Sequence, residues 1–135
     1  MREPDADMLA VVAKIARFIA TGDEALLSAF ASDGVVILEN FAPHLFLGSA
    51  AVARWAKAMR EHAATLGSLR HSFGPAQDFV CDGERAFFSL PTHWQGTANG
   101  RPFQEDGGWS FLLVRQEGGW RVKSYGWAVT RLVYE

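Results

Sequence analysis

The hydrophobic residues of the chain fall into two textures. Between residues 6 and 20, Met8, Val12, Ile15 and Ile19 recur at helical spacing, which predicts an amphipathic helix ended by Thr21-Gly22. Asp23 is placed to cap a short second helix over 24–31 that buries Leu26, Leu27 and Phe30. Ser32-Asp33-Gly34 marks a turn, and the aliphatic run 35–41 predicts a strand. A third helix is expected over 50–66, capped by Ser49 and stopped by Gly67. Val52, Trp55, Met59, Ala63 and Leu66 form its apolar stripe, with Arg54, Lys57, Arg60 and Glu61 off it.

The second half reads as extended runs over 69–80, 85–98, 102–115 and 119–132. Asp82-Gly83, Asn99-Gly100 and Gly118-Gly119 separate them, and Asp-Gly and Asn-Gly suit tight hairpins whose central residues need positive φ. Helices first and strands afterwards predict an α+β fold, three N-terminal helices packed on one face of a strongly curved, mainly antiparallel sheet. Pro91 inside one strand run, and Gly107-Gly108 inside the next, suggest an edge or bulges that add curvature. Such a cone has an open mouth and room for a pocket. No linker or repeat interrupts residues 1–135, which read as a single domain.

Composition narrows the function classes. The 13 Lys and Arg are scattered and the net charge is −2, so no nucleic-acid partner is expected. Lys14 and Arg17 break the apolar stretch 8–20, and Glu3, Asp5 and Asp7 precede it, so neither a signal peptide nor a membrane span is expected. The single Cys81 cannot form an intrachain disulfide and points to a reducing compartment. Its neighbour Asp82 does not favour a reactive thiolate. His44, His62, His71 and His93 lack metal-ligand spacing, and no phosphate-binding glycine loop or nucleophile elbow occurs, so no metal or cofactor is expected.

Three stretches carry a family resemblance. "ATGDEALLSAFASDGVVIL", "GSAAVARW" and "VRQEGGWRVKSYGWA" resemble the second helix and first strand, the third-helix start and the closing hairpin of the nuclear-transport-factor-2-like superfamily. The SnoaL-like, ketosteroid-isomerase-like and scytalone-dehydratase-like branch is the nearest in pattern. The resemblance implies a cystatin-like roll with a hydrophobic pocket, a small hydrophobic ligand, a homodimer and a cytoplasmic location. It implies much less about chemistry, since one scaffold hosts many functions. The steroid isomerase set is absent: its Tyr, base and acid positions fall near Ile15, Leu38 and Ser110. "LRHSFG" and "LPTHWQ" resemble the two histidine segments of the scytalone dehydratases, which maps their pair to His71 and His93. The accompanying Tyr-Asp pair falls near Ile19 and Ala20 and is missing.

Two imidazoles can share acid and base roles near neutral pH. His71 and His93 are therefore the candidate catalytic residues, although simple alternation with Phe88, Leu90, Thr92 and Trp94 inward would turn His93 outward. Asn40, Trp55, Met59, Trp94 and Trp109 are the candidate ligand-binding residues. Glu39 reads as solvated, and Glu105 and Asp106 as part of an exposed turn. In the last strand, Ser124, Gly126 and Ala128 are expected to face the cone, with Tyr125 and Trp127 on the convex face as a dimer surface. Two functions stay open: a cofactor-free lyase, isomerase or hydrolase on a small hydrophobic or aromatic metabolite, and a non-catalytic binder or partner subunit.

Overall fold

The computed structural model describes residues 3–135. Helix α1 spans Ala6–Thr21, with the Asp5 side chain accepting from the Met8 amide and Gly22 closing it in the left-handed conformation. Its buried face is Met8, Val11, Val12, Ile15, Ala16 and Phe18. A 3-10 helix, Glu24–Ala29, follows, capped by Asp23 as its sequence suggests. Helix α2 spans Ala51–His62 and buries Ala51, Trp55, Ala56 and Met59. It is shorter than expected: Ser49 makes no cap, a 3-10 turn covers Ala63–Thr65, and Gly67 already lies in a strand.

Seven strands make one sheet: β1 Val36–Leu38, β2 Leu45–Phe46, β3 Leu66–Phe73, β4 Gln77–Cys81, β5 Arg85–Ala98, β6 Arg101–Gln116 and β7 Gly119–Tyr134. The order is β2-β1-β7-β6-β5-β3, with β4 also paired to β5. All pairs are antiparallel except β1 on β7. Asn99-Gly100 and Glu117-Gly118 turn the two long hairpins, all four with positive φ. The three helices pack on one face of this curved sheet, the expected α+β architecture. That covered side is called the inner face below.

Strand parity decides what reaches the inner face. On β5, Ala86, Phe88, Leu90, Thr92 and Trp94 are buried in strict alternation. Pro91 makes no bulge, contrary to the sequence expectation. It sits where pairing of β5 passes from β3 to β4, opposite Gly108, and its carbonyl accepts from the Gly74 amide. The register shifts lie elsewhere. In β7 one residue, Lys123, is extra between the pairs Leu112–Ser124 and Leu113–Val122, and Thr130 is extra between Asp106–Arg131 and Gly107–Val129. Trp120 and Val122 are buried before the first bulge, and parity then reverses. Tyr125 is consequently buried on the inner face with Trp127 beside it, and Ser124, Gly126 and Ala128 lie outward. This corrects the expected face assignment of β7 and removes its argument for a dimer surface. None of the helices among the described residues is long and apolar enough to cross a membrane.

Candidate functional site

Between α2, the end of α1 and the open end of the sheet lies a cavity of about 450 Å³. That size is in the ~300–1,000 Å³ range of small-molecule sites. Its walls are mainly apolar, and two carboxyl groups line it, Glu39 from just after β1 and Glu105 from β6.

Glu39 follows β1. Its backbone N–H donates to the His44 carbonyl at 2.9 Å, and its own carbonyl lies 2.9 Å from His44 Nδ1, so the 41–44 loop fixes it. Its parity matches Ile37, which turns the side chain inward and leaves only 7% of the residue exposed. Carboxylates are seldom buried without partners, and this one has two. Trp55 Nε1–H donates to Oε2 at 2.9 Å, and the Tyr125 hydroxyl donates to the same oxygen. Oε1 takes no hydrogen bond from the described residues. Trp55, Tyr125, Phe30 and Trp109 pack around this group, with Trp55 edge-on to Tyr125 at 5.9 Å and Trp109 edge-on to Tyr125 at 5.5 Å.

Burial drives the Glu39 pKa up from 4.5 to about 7, against the opposing pull of the Tyr125 and Trp55 donors; the nearby charge of Glu105 adds to the rise. Glu105 is also raised, by burial first and then by Asp106. Burial and the adjoining carboxylate push the Tyr125 hydroxyl well above its ordinary range, so it is a donor at neutral pH. Trp109, only 1% exposed, has an Nε1–H with no hydrogen-bond partner among the described residues.

Of the sequence candidates, Asn40, Met59, Trp94 and Trp109 line the cavity, Asn40 from an exposed position at its rim. Trp55 stands behind Glu39 and outside the cavity lining. His71 is on the inner side of β3, half-buried against Phe73 and Trp94, with ring centroids 5.0 Å and 5.3 Å away. It does not line the cavity, and burial, with a smaller contribution from Arg17, lowers its pKa. His93 follows the alternation of β5 to the outer face. There Nδ1 lies 2.7 Å from Asp106 Oδ1 and Nε2 lies 2.7 Å from Gln104 Oε1, and the Asp106 bond raises its pKa. The two histidines are therefore not brought together in the cavity.

Glu39, expected to be solvated, is instead the most buried acidic residue of the cavity wall. Glu105, expected in an exposed turn, is an inward residue of β6. Tyr125 was hidden from sequence reasoning by the bulge at Lys123. A fourth addition is His62, at the end of α2, stacked on Phe41 at 4.3 Å by the mouth, its pKa lowered by burial. No cluster among the described residues could hold a metal ion.

Residues 3–126 match the model of the SnoaL-like domain. No curated protein sequence matches. Among solved structures, the chain is similar to hexachlorocyclohexane dehydrochlorinase LinA-type3 from Novosphingobium barchaimii LL02, with a TM-score of 0.79 and 8% identity over 96% of this chain and 88% of that one. It is also similar to the Kfla4162 protein from Kribbella flavida, with a TM-score of 0.79 and 14% identity over 95% and 91%. A protein of unknown function from Mycobacterium tuberculosis gives a TM-score of 0.73 and 22% identity over 94% and 72%. At these identities the likeness is one of fold.

Proposed function

The chain belongs to the SnoaL-like domain family, and from that premise we propose that it binds a small hydrophobic or aromatic metabolite and moves a proton on it without a cofactor, as a lyase, isomerase or hydrolase. The observation that carries this reading is Glu39: a carboxyl group at the cavity wall, titrating near pH 7, with one oxygen held by two donors and the other free. A group with its pKa near working pH is available both as base and as acid. Ionised Glu39 would take a proton from the ligand through Oε1, while Trp55 and Tyr125 hold the carboxyl plane. The protonated acid would return it to another carbon or to a leaving group. Glu105 is the second carboxyl within the same space and can serve the complementary step. The role first expected of His71 and His93 passes to this pair, because neither imidazole lines the cavity.

Deuterium incorporation from D₂O into small apolar ketones, read by mass spectrometry, tests the proposal. Glu39→Gln should lower the exchange rate by ~10²–10⁴-fold with the fold retained. Unchanged exchange in a folded Glu39→Gln protein would reject it. The alternative, a non-catalytic binder, is favoured by one observation: Glu39 also ties α2 to β7 and so has a structural use. Such a binder would keep ligand affinity within a few-fold after the same change and catalyse no exchange.

Homodimerisation is retained as a proposal on a different footing. Leu38, Leu45, Val80 and Phe87 are exposed apolar residues, with Leu38 paired to Leu45 and Val80 to Phe87 on neighbouring strands. Sedimentation giving a monomer at micromolar concentration would count against it. Cytoplasmic residence is proposed on the family resemblance, with the single cysteine in keeping with a reducing compartment.

A further inference from the structure

The charge of the cavity is one-sided. Glu39 and Glu105 both line it, and among the described residues neither a Lys nor an Arg does. Its one imidazole, His62, has its pKa lowered by burial and so is neutral at pH 7. No salt bridge neutralises either carboxyl: the ion pairs among the described residues involve other acids. Around the two acids stand the faces and edges of Trp94, Phe103, Trp109 and Trp127. Aromatic walls attract a cation through the ring quadrupole, and most strongly where water is excluded. Uncompensated carboxylates in the same space repel an anion and favour a cation.

We propose that the metabolite bound here is an organic cation, a protonated amine or quaternary ammonium on an apolar or aromatic body. This deepens the reading of the cavity as the ligand site and rests on it. An ammonium centre would sit between the Glu39 and Glu105 carboxylates, with its apolar body on the indoles. The groups facing Glu39 in this space are Glu105 from β6, Tyr125 and Tyr134 from β7 and His62 from α2; the end of α1 contributes only Ile19. None of these supplies a competing positive charge at neutral pH. Cation binding therefore favours ionised Glu39 and releases a proton, so affinity should rise with pH through about 7.

Three probes of similar shape test this: benzyltrimethylammonium, its uncharged carbon isostere neopentylbenzene, and phenylacetate. Binding is read from the intrinsic fluorescence of the protein's tryptophans. At pH 8 the ammonium should bind at least ~10-fold more tightly than the isostere. That preference should shrink at pH 6, and phenylacetate should not compete. Glu105→Gln should reduce the preference while leaving neopentylbenzene affinity within about twofold, which also shows that the variant is folded. Equal affinity for the isostere, competition by phenylacetate, absence of saturable ammonium binding, or an unchanged preference in Glu105→Gln would each overturn the proposal. Failure here leaves the proton-transfer role of Glu39 standing, since that is read by deuterium exchange. Loss of exchange chemistry with the cation preference intact would instead identify a cation-binding protein.

Discussion

The indole of Trp55 and the carboxyl of Glu39 meet with Nε1–H donating to Oε2 at 2.9 Å, both residues buried. The bond joins the middle of α2 to the residue following β1, and Tyr125 of β7 completes it on the same oxygen. Three elements distant in sequence are thus fastened at one atom beside the cavity. Trp55→Phe keeps an aromatic ring in place but removes the donor. The variant should lose about 1–3 kcal/mol in urea denaturation. The Glu39 carboxyl, observed by carbon NMR, should titrate above its present value of about 7, because a donor that favours the charged form has gone. A titration unmoved by the substitution would show that the indole does not tune the acid.

Stability should vary with pH through the same group. The folded pKa of Glu39 lies above its ordinary 4.5, so the folded protein holds a proton that the unfolded chain has released. Stability from this group is then full below about pH 4.5, falls as pH rises towards 7, and levels off above that. The decline is at most roughly 3 kcal/mol. Glu39→Gln should flatten that part of the pH–stability curve and be relatively more stable at pH 8 than at pH 4. Parallel curves for the two proteins would contradict the burial of an ionisable acid.

His93 contributes in the same sense. Its bond to Asp106 raises its pKa, so its contribution is present at acid pH and lost as pH rises through the folded value. Asp106→Asn should bring the imidazole back towards its ordinary pKa in a proton–nitrogen NMR titration. Both side chains are partly exposed, and the stability change should be about 1 kcal/mol or less. Deuterium exchange into ketones should fall far less than in Glu39→Gln, because the pair lies on the outer face and Asp106 acts on the cavity only through its charge near Glu105. A large loss of exchange would place His93 back in the chemistry.

Gly107 is required by its neighbour. A methyl group there would overlap the Trp127 ring and the Ala128 carbonyl. Gly107→Ala should cost about 1–3 kcal/mol, as overpacking does. It should also push the Trp127 indole towards the cavity and weaken ligand binding. A crystal structure of the variant with Trp127 unmoved would remove the second part of this expectation.

The helices and hairpins could be read from sequence because their signals are local. The stripe of Met8, Val12 and Ile15, and the Asn99-Gly100 turn, are each decided within a few residues. Glu39 could not be read in this way. Its burial depends on donors 16 and 86 residues away, which only the folded chain brings near. Tyr125 failed for another reason. The small residues Ser124, Gly126 and Ala128 suggest a face that leaves room in the cone, whereas an extra residue, visible only through the pairing with β6, sets the phase and turns the large side chains inward. Glu105 was hidden by Gly107-Gly108, which look like a turn but lie within a sixteen-residue strand.

The two extra residues of β7, Lys123 and Thr130, bracket the segment that carries Tyr125, Trp127 and Val129. Each acts as a phase marker. Upstream of the first, inward side chains such as Trp120 and Val122 fill the core; downstream of the second, Leu132 and Tyr134 return to the cavity mouth. The bracketed segment is thereby uncoupled from the alternation on either side. With simple alternation running on from Val122 and no offset at Lys123, Ser124 would take the inward place opposite Phe111 and Tyr125 would turn outward. The acid would then lose the long phenol that reaches it and keep only the Trp55 donor from its present pair. The phase of this strand is for that reason a chemical variable as well as a geometric one.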